Sequence, residues 1–230
     1  MTGENKARLT FIMVTACCLV FLAAQFRPFW YTQQILNEYA LTPVVVMNGV
    51  NLFSLISYMF IHLSFGHLLG NMFVLISVGT ILEENIGSTK FGLVYIVSGI
   101  ASGLLHSSVN PSSTIPVIGA SGAIFGLIAL LLLLMPFHLT TALLFPLPGV
   151  IVGLIMIAVE ITSVTVGADV GIAHDIHIYG FLVGGIGAFA VDYGRALRGL
   201  IIALIILVAL YFSSTILNEY PIFQLQYYLR

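Results

Sequence analysis

Residues 117–135 read VIGASGAIFGLIALLLLLM. No residue in this stretch is charged, and its second half is almost unbroken aliphatic sequence. A run of that length approaches the roughly 17–25 residues that a bilayer-spanning helix needs. Its first half differs in kind, because Gly119-Ala120-Ser121-Gly122-Ala123-Ile124-Phe125-Gly126 sets small residues around a single hydroxyl. An apolar span that opens on glycines and a serine is both a packing element and a candidate site.

The rest of the chain extends the same reading. Of its 230 residues 60% are hydrophobic and 7% charged, with a mean hydropathy of +1.11, whereas soluble domains carry roughly 25% charged residues. Lipid is the expected solvent. Further apolar runs near 9–25, 64–82, 91–107, 144–162, 172–191 and 200–217 predict seven helices in all. The polar segments between them are too short to fold separately, so residues 1–230 are expected to form a single all-α membrane domain. The formal charge of −2 comes from few groups and no basic run occurs, which argues against nucleic acid and against a polybasic lipid contact.

Cys17 and Cys18 are adjacent within the first run, where a bond between them would be badly strained, so they are expected to pack as small apolar residues. The first run has a basic start but no clear small-x-small cleavage site after it, and it is read as a retained helix. With the N-terminus inside, Lys6, Arg8, Lys90, Arg195 and Arg198 fall on the inner side and only Arg27 and Arg230 on the outer. The positive-inside rule therefore predicts a cytoplasmic N-terminus. Residues 26–63 form the longest stretch outside the runs, with Phe29, Trp30 and Tyr31 beside Arg27 and Pro28. Such rings suit headgroup depth, and this piece is expected to lie along or dip into the outer leaflet.

Polar groups at bilayer depth are costly, so each one inside a run is a functional hypothesis. Ser121 falls near a helix N-terminus, where unpaired N–H groups and the helix dipole favour developing negative charge and glycines admit a close approach. The same small residues can equally serve tight helix packing alone. His67 and Asn71 are four apart on one helix face and could donate to an oxyanion together or simply bridge helices. They make a poor metal pair, because Asn is a weak ligand and no carboxylate or thiolate cluster accompanies them. In the sixth run His177, Gly180 and Gly184 share a stripe, an imidazole above two glycines, that can press against Gly119–Gly126 and bring His177 to Ser121. His174, one turn away, competes for the base role. Asp175 points to another side of the helix and is a poor triad acid.

Taken together, His67-x-x-x-Asn71, Gly119-Ala120-Ser121-Gly122 and His177-x-x-Gly180-x-x-x-Gly184, in this order and on these runs, resemble the signature of the rhomboid family of intramembrane serine proteases. The resemblance runs roughly from Asn51 to Asp192 and takes in His62, Glu83, Gly87, Asn110 and Pro111. It implies a bundle of six core transmembrane helices, with the run at 200–217 as a seventh, C-terminal helix. It implies an intramembrane serine endopeptidase that uses a Ser–His dyad without an acid and needs neither cofactor nor metal. Its substrates would be single-span or otherwise membrane-anchored proteins, cut in or near their membrane segments, at a site opening toward the outer face. By that resemblance Ser121 attacks, His177 moves the proton, and the Ser121 N–H, Asn71 and His67 hold the oxyanion. Gly119, Gly122, Phe125, Gly180 and Gly184 would pack the site.

The chain departs from the family pattern at Phe125, where a tyrosine is common, at Tyr179, usually a small residue, and in the absence of an evident Trp-Arg pair from 26 to 63. Two other readings compete. An inactive relative that binds membrane proteins characteristically lacks the serine or histidine, and both are present. A transporter could line a path with Glu160, His174, Asp175 and His177, but repeated halves and paired broken helices are not evident. Glu160 is expected to hydrogen-bond within the bundle and tune a loop or gate rather than join the chemistry.

Overall fold

Backbone polar groups find no partner in lipid, and a helix satisfies them internally. The computed structural model describes residues 7–25, 29–167 and 171–219, and its main elements are helices. Lys6, Arg27, Pro28 and Arg230, used above for orientation, lie outside the described residues, as do the side chains of Phe29, Trp30 and Tyr31. Among the described residues six helices are long and apolar enough to cross a bilayer. They are α1 (Arg8–Gln25), α5 (Phe65–Ile86), α6 (Ser88–Val109), α8 (Gly149–Val166), α9 (His174–Val191) and α10 (Tyr193–Glu219). The protein is an integral, multi-pass, all-α membrane protein.

The helix that sequence reading began with is the exception in length. Helix α7 (Ser121–Leu134) has 14 residues, or about 21 Å at 1.5 Å per residue, against a hydrocarbon core of about 30 Å. Residues Gly122 to Leu134 are all buried, and α7 packs against α5, α6, α8, α9 and α10. A helix that is apolar all round belongs in the centre of a bundle. Being sheathed by longer neighbours, it has no need to reach both surfaces.

The expected span began at 117, but residues 117–120 are extended or turn instead. Val117 forms a two-way backbone bridge with Leu41, at 3.0 and 2.8 Å, and the Gly119 N–H donates to the Tyr58 carbonyl at 2.9 Å. Gly119 has φ +115, which L side chains rarely adopt, so the chain can make this approach and then enter α7 only with glycine there.

The partners in that bridge come from the long segment between α1 and α5. It folds as three short helices, α2 (Phe29–Tyr39), α3 (Pro43–Met47) and α4 (Ser54–Ser57), followed by a 3-10 turn at Tyr58–Phe60. Tyr58 anchors it, being fully buried with its hydroxyl donating to the Gly99 carbonyl of α6 at 2.8 Å. Val50, Leu52 and Phe53 stay exposed, an apolar edge fit for lipid contact.

Two connections also differ from expectation. Between α7 and α8 the chain makes a small hairpin, β1 (Leu139–Thr140) antiparallel to β2 (Leu147–Pro148), so α8 starts at Gly149 rather than near 144. It ends at Gly167, a left-handed cap with φ +66. Helix α10 begins at Tyr193, earlier than the apolar run, because the Asp192 carboxylate accepts the Arg195 N–H at 3.0 Å and caps it.

One buried carboxylate ties α1 to the bundle. Glu83 of α5 is fully buried and accepts from the N–H groups of Leu9 and Thr10 at 2.9 and 2.8 Å, from the Thr10 hydroxyl at 2.8 Å and from the Ser88 hydroxyl at 2.6 Å. The first N–H groups of a helix have no partner of their own, and an acid supplied from another helix meets both that need and the helix dipole. Glu83→Ala strands these donors, at about 1–3 kcal/mol for each buried group, and is expected to cost at least about 3 kcal/mol of stability, with Glu83→Gln losing less. Unfolding of both variants in mixed micelles checks this; an alanine variant as stable as wild type rules out the tie.

Candidate active site

Two glycine stripes set the distance between α7 and α9. A Cβ on Gly180 would collide with the Gly122 carbonyl, and one on Gly184 with the backbone of Gly126. The side of α7 toward α6 is as tight, since a Cβ on Gly122 would stand 2.6 Å from the Ser102 hydroxyl and one on Gly126 would collide with Ser98. Backbone therefore lies on backbone. At the top of this seam His177 Nε2 comes to 2.7 Å from the Ser121 hydroxyl. His174, the competing base, does not contact Ser121; its Nδ1 bonds Glu160 Oε2 at 2.5 Å.

Phe125, one turn into α7, stacks on the His177 ring with centroids 4.6 Å apart and planes within 7°. The ring is thereby fixed in plane. A phenyl group supplies the stacking face without a hydroxyl.

His67 and Asn71 approach from α5, whose start is set by Ser64 accepting the His67 N–H at 3.2 Å. One Asn71 amide hydrogen goes to the His67 carbonyl at 3.1 Å, leaving the other free to donate elsewhere. A Cβ on Gly119 would meet the His67 ring at 2.7 Å and the Asn71 Nδ2 at 3.9 Å. The three are gathered around the entry to α7, where the first N–H groups lack intrahelical partners. Ser121, His177, His67, Asn71 and Gly119 all line one cavity of about 840 Å³.

Further polar residues surround these. Asp175 turns to α6, where its Oδ2 meets His106 Nδ1 at 2.7 Å and Asn110 Nδ2 at 3.4 Å. That cluster clamps the first turn of α9 to the end of α6. Glu160 is buried, and its Oε2 lies 3.0 Å from His177 Nδ1. The angle there is poor, so that nitrogen has no hydrogen-bond partner although it is buried. Periodicity within a single helix could not reveal this meeting of α8 and α9. A signal was available in the connection: Glu160 lies seven residues before Gly167 and His174 seven after it, and antiparallel helices bring such positions level.

Comparison with known families agrees with the geometry, for residues 50–194 match the model of the Rhomboid domain. The chain belongs to the rhomboid family. Over 93 residues it is 36% identical to RHOMBOID-like protein 1 of Arabidopsis thaliana, which covers 40% of this chain and 23% of that protein. It is 42% identical to RHOMBOID-like protein 2 of the same plant over 73 residues, 32% of this chain and 22% of the relative. With Rhomboid protease GluP of Bacillus subtilis it shares 40% identity over 72 residues, 31% of this chain and 14% of the relative. The matched stretch thus spans under a quarter of the length of each of these rhomboids.

Beside the rhomboid site, outside the spans, His62 is fully buried with both ring nitrogens unpartnered, its ring 4.9 Å from that of His67. Burial holds its pKa down at about 4, from 6.5. As pH falls from 6.5 toward 4 the unfolded ring takes up a proton that the folded ring refuses, so stability drops through this window. His62→Phe is expected to be less acid-sensitive by about 2 kcal/mol between pH 7.5 and 5. Thermal unfolding of both proteins at the two pH values decides, and equal losses would exonerate His62.

The glycine seam makes its own forecast. Gly180→Ala must push α9 off α7 and part His177 from Ser121, and overpacking of this kind costs about 1–3 kcal/mol. Gly185→Ala, whose Cβ meets nothing nearer than Leu133 at 3.9 Å, is expected to stay within about 0.5 kcal/mol of wild type. Unfolding of the pair in mixed micelles tests whether the seam is as tight as its contacts imply; equal stabilities would show that it is not.

Proposed function

We propose that this protein is an intramembrane serine endopeptidase in which Ser121 is the nucleophile and His177 the general base. The observation that carries the reading is the 2.7 Å hydrogen bond between the Ser121 hydroxyl and His177 Nε2, a contact of nucleophile and base within reach of proton transfer.

In the proposed reaction the Ser121 proton passes to His177 Nε2 while the oxygen lone pair forms a bond to the scissile carbonyl carbon. The carbonyl π electrons move onto its oxygen. The Ser121 N–H, the Asn71 amide and the His67 imidazole then donate to that oxyanion. When the carbonyl reforms, the C–N bond breaks and the leaving amine takes the proton from His177. Water repeats the sequence on the acyl-enzyme and frees Ser121.

The substrate class follows from where the serine lies. Helix α7 is shorter than the hydrocarbon core, so Ser121 lies recessed below one membrane surface, and the cavity above it provides the water that hydrolysis consumes. The proposed substrates are single-span or otherwise membrane-anchored proteins whose segment can unwind enough to present a peptide bond. The proposed topology has the N-terminus in the cytoplasm and the site opening toward the outer face, in line with the basic residues of the short loops.

Purified protein in detergent, incubated with a panel of single-span substrates, is expected to cleave at least one. Ser121→Ala and His177→Ala should each abolish cleavage with stability unchanged to within about 1–2 kcal/mol. Asn71→Ala and His67→Ala should slow turnover by about 10–1,000-fold, an oxyanion donor being worth roughly 2.7–4 kcal/mol where tested. Chelators should have no effect. Activity that survives loss of both Ser121 and His177 would sink the assignment.

A further inference from the structure

Glu160 has no part in the reaction as written, yet it is a carboxylate buried between α8 and α9 at the depth of the site. Two imidazoles face it. His174 Nδ1 holds its Oε2 at 2.5 Å and His177 Nδ1 approaches the same oxygen at 3.0 Å. His177 Nε2 is taken by Ser121 at 2.7 Å, so the only nitrogen that could carry the ring proton in the reactive tautomer is the one facing Glu160. That nitrogen is buried and has no other partner among the described residues.

We infer that Glu160 is a positioning residue for the proposed peptidase, one that fixes the Nδ1–H tautomer of His177 and stabilises the imidazolium formed when Ser121 attacks. The inference rests on the assignment of Ser121 and His177 given above. Its logic is protonic. A neutral imidazole accepts the Ser121 proton at Nε2 only if its own proton lies on Nδ1, and a carboxylate at Nδ1 favours that form. On attack the proton moves from Ser121 Oγ to Nε2, the Nδ1 proton stays on the ring, and Glu160 remains an anion facing a cation. His174 anchors the carboxylate from the other side, and Phe125 stacking keeps the ring within reach. A short closing movement of the ring would turn the poorly angled 3.0 Å contact into a hydrogen bond.

The same three side chains are the kind that bind zinc, Glu160, His174 and His177 having ligand atoms within 4.8 Å of one another. Their present spacing fits a shared proton better. Tetrahedral ligands about 2.0–2.1 Å from zinc stand roughly 3.3 Å apart, whereas His174 Nδ1 and Glu160 Oε2 are at hydrogen-bonding distance, 2.5 Å. A metal site is therefore the rival outcome of the test.

Glu160→Gln keeps the shape but removes the charge: the one atom that faces both imidazoles becomes either a neutral carbonyl oxygen, which no longer stabilises the imidazolium, or an NH2 group, which donates to His177 Nδ1 and favours the unreactive tautomer. The expected result is a fall in kcat of about 100-fold or more, with KM within about twofold, because the interaction acts on the transition state rather than on substrate binding. Glu160→Asp, which restores the charge at shorter reach, should recover at least about tenfold of that loss. A residue that merely braces α8 against α9 would not produce this split or this rescue. A Glu160→Gln enzyme whose kcat stays within threefold of wild type overturns the inference while leaving Ser121 and His177 in their roles. One zinc per purified chain, lost with Glu160→Gln, overturns it in favour of a metal centre.

Should the glutamine variant fail to fold, wild-type protein labelled with nitrogen-15 histidine answers the same question. With the His177 signals assigned by their absence from His177→Asn, the proton is expected on Nδ1. A resting proton on Nε2 instead would refute the role of Glu160. This spectrum requires no turnover, so it tests the juxtaposition even if no substrate is cleaved.

Discussion

Contact between bare backbones of α7 and α9 is the constraint on which the site depends. Helices that meet through ordinary side chains lie about 8–10 Å apart, a separation at which a serine on one and a histidine on the next are held apart by whatever packs between them. Here Gly180 and Gly184 lie on the backbone of Gly122 and Gly126, and no Cβ fits at Gly180 or Gly184. Lipid offers little hydrophobic drive for helices to associate, so such contacts also supply the van der Waals energy that holds the bundle together. Stability and the Ser121–His177 distance thus come from the same four glycines. The seam explains why Ser98 and Ser102 of α6 are buried against α7 as well: only small side chains fit behind a helix that is pressed close on the opposite face.

A second constraint follows from the length of α7. It is ringed by longer helices, and the chain enters its serine end through non-helical backbone packed inside the bundle. The bridge from Leu41 to Val117 and the bond from Gly119 to Tyr58 meet the hydrogen-bonding needs of that entry. The segment between α1 and α5 is therefore a wall of the site rather than a passive connection, since it supplies both partners. Its own Val50, Leu52 and Phe53 remain exposed, an apolar edge fit for lipid. Irregular backbone persists at depth only where protein or a cavity surrounds it, and this entry has both.

How much of this could be read in the sequence depended on whether the signal was local. The spans declared themselves through apolar length. The stripe of His177, Gly180 and Gly184 and the small residues around Ser121 implied close approach, because helical periodicity assigns faces without knowledge of neighbours. The start of α7 was misjudged by four residues, since Val117 and Ile118 are as apolar as the helix they precede and only their pairing with Leu41 removes them from it. The hairpin at 139–148 was hidden for a similar reason, Leu143 to Pro148 being apolar enough to resemble the start of a span. Asp175 was seen to point away from His177, but its partner His106, on another helix, was not visible to any one-helix argument. Glu160 was the instructive case: an acid in an apolar run announces a function, but its address depends on how the turn at Gly167 folds the two helices together.

The buried polar atoms left without partners reveal where the fold gives up stability. Among the described residues they belong to His62, Tyr95, Ser98, His174 and His177, and three of these five are histidines at or beside the cavity. A structure shaped for stability alone would replace such rings with aliphatic groups, because an unpartnered polar atom at this depth costs on the order of 1–3 kcal/mol. Among the described residues His177 instead meets one hydroxyl, one stacked phenyl ring, the edge-on ring of His174 and one imperfectly placed carboxylate. The rigid seam of glycines adds to this, because α9 cannot slide off α7 to offer the ring better partners without breaking the backbone contacts of Gly180 and Gly184.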